Sequence, residues 1–76
     1  MVALEANMVK VVIDVEALLA LGYGLEAIKR LKAGRSIIYG SDGIVIEEYP
    51  DGRRFEMALD EGYRAIAVRE LSPAQR

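Results

Sequence analysis

The chain has 76 residues, of which 53% are hydrophobic, a formal net charge of −2, and neither cysteine nor histidine. That length makes one domain, and the missing residue types exclude disulfides, the usual zinc ligands and the imidazole-based dyads and triads of nucleophilic catalysis. The near-neutral charge marks neither nucleic acid nor an anionic membrane as a general partner, while the positive mean hydropathy argues against disorder and for apolar surface that a partner covers.

No apolar stretch reaches the roughly 20 residues of a membrane span. Glu5, with no leading basic cluster, does not read as part of a signal peptide. The lack of cysteine fits a reducing cytoplasm, which is the expected location. The expected organisation is a single α+β domain over residues 1–71 and a flexible C-terminal tail, Ser72-Pro73-Ala74-Gln75-Arg76.

From the N-terminus, Val9, Val11 and Ile13 alternate with Lys10 and Asp14, and the density of β-branched residues favours a strand over 8–13. A helix competes there, because Leu4, Met8, Val11, Val15 and Leu18 recur every three or four residues. Asp14 is placed to cap a helix beginning at Val15, with Glu16 in its first turn. Gly22 and Gly24 interrupt the helical pattern of Leu18, Leu21, Leu25 and Ile28, and a helix-interior glycine costs about 1 kcal/mol. Two short helices, 15–21 and 25–33, are therefore expected around a Gly22-Tyr23-Gly24 turn. Gly34 then follows the second helix, with Lys29, Arg30 and Lys32 suited to its C-terminal dipole.

Residues 19–28, Leu-Ala-Leu-Gly-Tyr-Gly-Leu-Glu-Ala-Ile, resemble over ten positions the helix–Gly-aromatic–helix step of MerR-type regulators and of other helical DNA-binding or ubiquitin-binding domains. Gly24 stands where that step usually has a Ser or Thr cap. Short helix pairs reuse the pattern without shared function, so no family is assigned from it.

Beyond Arg35, three turn signals appear: Ser41-Asp42-Gly43, Pro50-Asp51-Gly52 and Asp60-Glu61-Gly62. Between and around them lie Ser36–Tyr39, Ile44–Tyr49, Arg53–Leu59 and Tyr63–Leu71, each rich in Ile, Val, Tyr or Phe, as in consecutive hairpins. The expected fold is a four- or five-stranded antiparallel β-meander with one or two short N-terminal helices packed on one face.

The Pro-Asp-Gly loop predicts the register. Proline sets φ for a type I turn, glycine takes the bulge position, and Tyr49 then faces Arg53, Glu48 faces Arg54, Glu47 faces Phe55 and Val45 faces Met57. Glu48 and Arg54 are expected to attract across the ladder. The register sends Val45, Phe55 and Met57 to one face, and Ile44 and Ile46 to the other. Helices this short cover one face only, so apolar residues remain on the second. Ile37, Ile38, Ile44 and Ile46 are the expected self-association residues.

Candidate chemistry is sparse. Ser36, Ser41 and Ser72 lack an activating imidazole. Glu47 and Glu48 point to opposite faces of their strand, and Asp42, Asp51, Asp60 and Glu61 suit turns. Gly22-Tyr23-Gly24 lacks the further glycine of a dinucleotide fingerprint and the Gly-Lys-Ser/Thr of a P-loop. No cofactor, metal or enzymatic activity is expected. The leading expectation is a non-enzymatic interaction module that forms a homo-oligomer, most simply a dimer. The alternative is nucleic-acid binding through Lys29, Arg30, Lys32, Arg35, Arg53 and Arg54, four cations near a helix end and two at a hairpin tip.

Overall fold

The computed structural model of the chain describes residues 13–76. The expected strand or helix over 8–13 therefore lies, apart from Ile13, outside the described residues. The elements run α1 (Val15–Ala20), α2 (Leu25–Lys32), β1 (Ile37–Ser41), β2 (Ile44–Glu48), β3 (Arg54–Leu59) and β4 (Ala65–Leu71). The four strands form one antiparallel sheet in the order β1-β2-β3-β4, the expected meander with its helices N-terminal to it.

Local chemistry accounts for the helix ends. The Asp14 carboxylate accepts from the Ala17 amide at 3.1 Å and caps α1 as expected, whereas Gly24 opens α2 with no side-chain cap. Each helix closes with a Schellman pair. Gly22 N–H donates to Leu19 and Tyr23 N–H to Leu18; Gly34 N–H donates to Leu31 and Arg35 N–H to Arg30. Gly22, at φ +96°, supplies the left-handed residue this closure needs, and it throws Tyr23 back across the end of the helix.

The β2–β3 register agrees with the sequence reading: Val45 faces Met57, Glu47 faces Phe55 and Glu48 faces Arg54, and the Tyr49 amide donates to the Arg53 carbonyl at 2.9 Å. The first hairpin turns through Asp42 and Gly43, both at positive φ, the two-residue type I′ geometry that matches strand twist. The third departs from expectation. The left-handed residue is Tyr63, Asp60 Oδ1 accepts from the Gly62 and Arg64 amides, and β4 begins at Ala65 instead of residue 63. The β3–β4 ladder also carries a bulge: Glu56 faces Arg69 while Met57 faces Ala67, which leaves Val68 as the extra residue.

The core gathers Leu18, Ile28, Leu31 and Ile37, with Ile13, Val15, Tyr23, Ala27 and Tyr39 around them and Ile46 buried on β2. Among the strands, only β1 comes within 8 Å of the helices, Cα to Cα. The helices thus cover one end of one face. β4 is exposed from Ala65 to Glu70.

This placement corrects the expected self-association set. Ile37 and Ile46 are 7% and 3% exposed and belong to the core, and Ile44 is half-buried on the same face. Only Ile38, 63% exposed, is free. The reason is the parity of the ladder: Ile37, Tyr39, Ile44 and Ile46 share the face on which α2 settles, so the uncovered apolar residues are their neighbours on the opposite face.

Candidate functional site

Glu48 is the sole buried charged or polar residue among the described ones, with none of its surface exposed. It stands at the end of β2 on the helix-covered face, beside Ile37 on β1. A carboxylate there must find donors, because an unpaired buried charge is heavily penalised. It finds three. The Tyr39 hydroxyl donates to Oε1 at 2.6 Å, the Tyr23 hydroxyl to Oε2 at 2.6 Å, and Arg76 Nη2 to Oε2 at 2.8 Å. Tyr39 comes from the neighbouring strand and Tyr23 from the turn that Gly22 closes. Arg76 comes from the tail.

Arg76 is held on more than Glu48. Its Nη2 also donates to the Tyr49 carbonyl at 2.8 Å, its Nη1 to the Pro50 carbonyl at 2.7 Å, and its Nε to Glu48 Oε2 at 3.2 Å. The side chain is only 14% exposed, although the residue as a whole is open to solvent through its main chain. The segment expected to be a loose tail therefore runs back over the β2–β3 loop, where the Ala74 amide donates to the Gly52 carbonyl at 2.8 Å. Gly52 is buried at φ +95°, a left-handed conformation that favours glycine, and a Cβ there would meet the Ala74 carbonyl oxygen only at ordinary contact distance, 3.9 Å.

The electrostatics follow from these contacts. Burial is the largest influence on Glu48 and pushes its carboxyl up. The hydrogen bonds from Tyr23, Tyr39 and Arg76, with the Arg76 charge, together outweigh it and hold the group below the usual carboxylate range. Burial first, and then the bond to Glu48, raise both phenols above the usual tyrosine value. Two open grooves flank the cluster. One of about 320 Å³ is lined by Asp14, Leu18, Asp51, Gly52, Ala74 and Arg76. The other, of about 360 Å³, is more apolar and runs past Tyr23, Ala27, Ile38 and Tyr39.

A second surface lies on the far side of the sheet. There Ile38, Val45, Phe55, Met57 and Leu59 share a face by register, with Ala65 and Ala67 from β4 beside them. At one end of this face the Tyr49 and Phe55 rings meet edge to face at 5.8 Å, and the Arg53 guanidinium lies 5.1 Å from the Tyr49 ring centre. The Ser36 hydroxyl donates to Glu47 at 2.6 Å on the same side.

The basic residues of the nucleic-acid alternative are drawn to acceptors within the chain. Lys29 pairs with Glu26, Arg30 donates to the Ser36 carbonyl, Arg53 pairs with Asp51, and Arg54 donates to the Ser72 carbonyl. Among the described residues no hydrogen bond or ion pair joins the end of α2, with Lys32 and Arg35, to the hairpin tip. The expected Glu48–Arg54 attraction is also not made: the two are ladder partners, but Glu48 turns to the tyrosines and Arg76. Sequence reading missed Glu48 as a site. The signal was present, since the Pro-Asp-Gly register already put its side chain on the face of Ile44 and Ile46.

Among the described residues no cluster of acidic side chains is arranged to hold a metal ion, and no helix is long and apolar enough to cross a membrane. Comparison with protein-family models, with curated proteins and with solved structures finds no match.

Proposed function

We propose that the protein is a non-enzymatic interaction module that self-associates through the uncovered face of its sheet, burying Ile38, Val45, Phe55, Met57 and Leu59 against a second copy. The observation that carries this reading is the one-sided packing of the helices, which leaves Ile38, Val45 and Leu59 exposed on the opposite face with Phe55 and Met57 half-buried among them. Few apolar side chains are fully buried in the described part of the chain, and a domain this small gains stability when such a face is covered.

The bulge supports the face over the edge. Val68 interrupts the regular spacing of β4, and Arg69 and Glu70 follow it. Both devices spoil an edge for strand addition. Face-to-face packing at about 10 Å, as in a β-sandwich, needs no free edge and suits Val45 and Met57, ladder partners with Ala67 beside them.

Sedimentation velocity over a low-to-high micromolar series tests the reading. The expected result is a monomer–dimer equilibrium that Val45→Lys and Met57→Lys each weaken by about tenfold or more. Thermal midpoints should rise with concentration in the unaltered chain only. A monomer throughout the series would overturn the reading. So would a monomer that begins to associate only when residues 1–12 are deleted, which would make those residues the cover of the face.

A further inference from the structure

We infer that Glu48, the Tyr23 and Tyr39 hydroxyls and the carbonyls of Tyr49 and Pro50 form a guanidinium-binding site, which Arg76 occupies as a tethered ligand and which accepts an arginine side chain from another protein when the tail swings away.

The receptor is complete without the tail. Each acceptor belongs to β2, or to the loop that follows it, and each tyrosine belongs to β1 or to the Gly22 turn. The tyrosines hold the carboxylate by donating to it, so its free lone pairs stay aimed at the guanidinium. The set of acceptors is specific in shape. One carboxylate oxygen and two carbonyls take hydrogen bonds from all three guanidinium nitrogens, which the planar fork of arginine satisfies and the single ammonium of lysine does not. The groove that leads to it is lined by Asp14, which caps α1, and by Asp51, which is paired with Arg53.

The rest of the tail, by contrast, is lightly attached. Apart from Arg76, the tail is held by one amide–carbonyl bond from Ala74 and by the Arg54 bond to the Ser72 carbonyl. Ser72, Pro73 and Gln75 are exposed, and no residue of the tail enters the core. Displacement therefore uncovers little apolar surface. What the tail has is proximity: a ligand on a short tether competes at an effective concentration of about millimolar. An arginine in trans gains the site when it brings further contacts to the groove.

Substituting Arg76→Ala removes the tethered competitor and exposes the site to titration. Amide shifts of Glu48, Tyr49 and Gly52 should respond saturably to ethylguanidinium, about tenfold more strongly than to ethylammonium. The unaltered chain should respond to neither. In a chain ended after Leu71, which frees the Gly52 carbonyl and Arg54 as well, the pentapeptide Ser-Pro-Ala-Gln-Arg should bind more tightly than free L-arginine does. Equal response to the two small cations overturns the site, and free arginine binding at least as well as the peptide overturns the assignment to a protein side chain. If Arg76→Ala does not fold, Arg76→Lys replaces it in the same titration. If neither variant folds or recovers with ethylguanidinium, Arg76 is a structural strut and the proposal fails.

Discussion

At the scale of single residues, Glu48 links the stability of the molecule to pH. Its carboxyl lies below its ordinary value in the folded chain, so the folded state binds a proton less readily than the unfolded one. The stabilisation is then fully present above the unfolded value of about 4.3 and is lost as pH falls through the lower folded value. Urea denaturation between neutral and acid pH should show this loss as a fall in midpoint below about pH 4.3. Glu48→Gln should flatten that acid limb, and an unchanged limb would assign it to other carboxylates. Tyr63 poses the opposite case. It is 83% exposed and sits at φ +63°, a conformation that costs an L-residue about 1–2 kcal/mol and that glycine adopts freely. Tyr63→Gly should therefore stabilise the protein by about 0.5–1 kcal/mol after the greater unfolded-state freedom of glycine is allowed for. A loss of stability would mean that the ring makes contacts that outweigh the strain.

At the scale of elements, the turn residues decide where side chains go. Gly22 ends α1 and in the same step delivers Tyr23 to Glu48. Gly22→Ala should cost about 1–2 kcal/mol from the left-handed backbone alone. If Tyr23 is displaced with it, the substitution should be less harmful in a Tyr23→Phe background, a non-additivity that a double-mutant cycle in chemical denaturation reads directly. These elements also show what was legible in the sequence. The two helices, the break at Gly22-Tyr23-Gly24 and the β2–β3 register follow from local rules: apolar spacing, a cap at Asp14, and a loop whose proline and glycine admit one geometry. The turn at Asp60 was legible but its length was not, because Asp60 organises the loop through its side chain and the left-handed residue falls at Tyr63, beyond Gly62. The Val68 bulge leaves no local mark either, since its cause lies in how β4 meets β3.

At the scale of the whole molecule, the sheet is larger than its helical cover. Pattern alone showed that one face would stay open, and parity showed which residues share it. The sequence reading left Ile44 and Ile46 uncovered, the wrong face, because Ile44 and Ile46 on one side and Val45 and Met57 on the other are equally apolar. The structure resolves this through Ile37 and Tyr39, which seat α2 over β1 and make Glu48 a buried residue. The tail was unreadable for a similar reason: Ser-Pro-Ala-Gln-Arg has the composition of a loose end, and its role depends on a carboxylate 28 positions earlier in the chain. Buried ionic contacts of this kind are severe when broken on one side, at about 3–5 kcal/mol in enclosed sites, and less where the carboxylate regains water.

The bulge at Val68 has a consequence for how many molecules can join. A strand with a regular outer edge adds neighbours without limit, because each addition exposes a fresh edge of the same kind. In this chain that outer edge is kinked at β4, and the opposite one, at β1, has α2 beside it. In the association proposed above, the contact is a single face, used once by each molecule. Contact through one self-complementary face is isologous and closes on itself, so assembly by this route stops at two and does not propagate into a fibre.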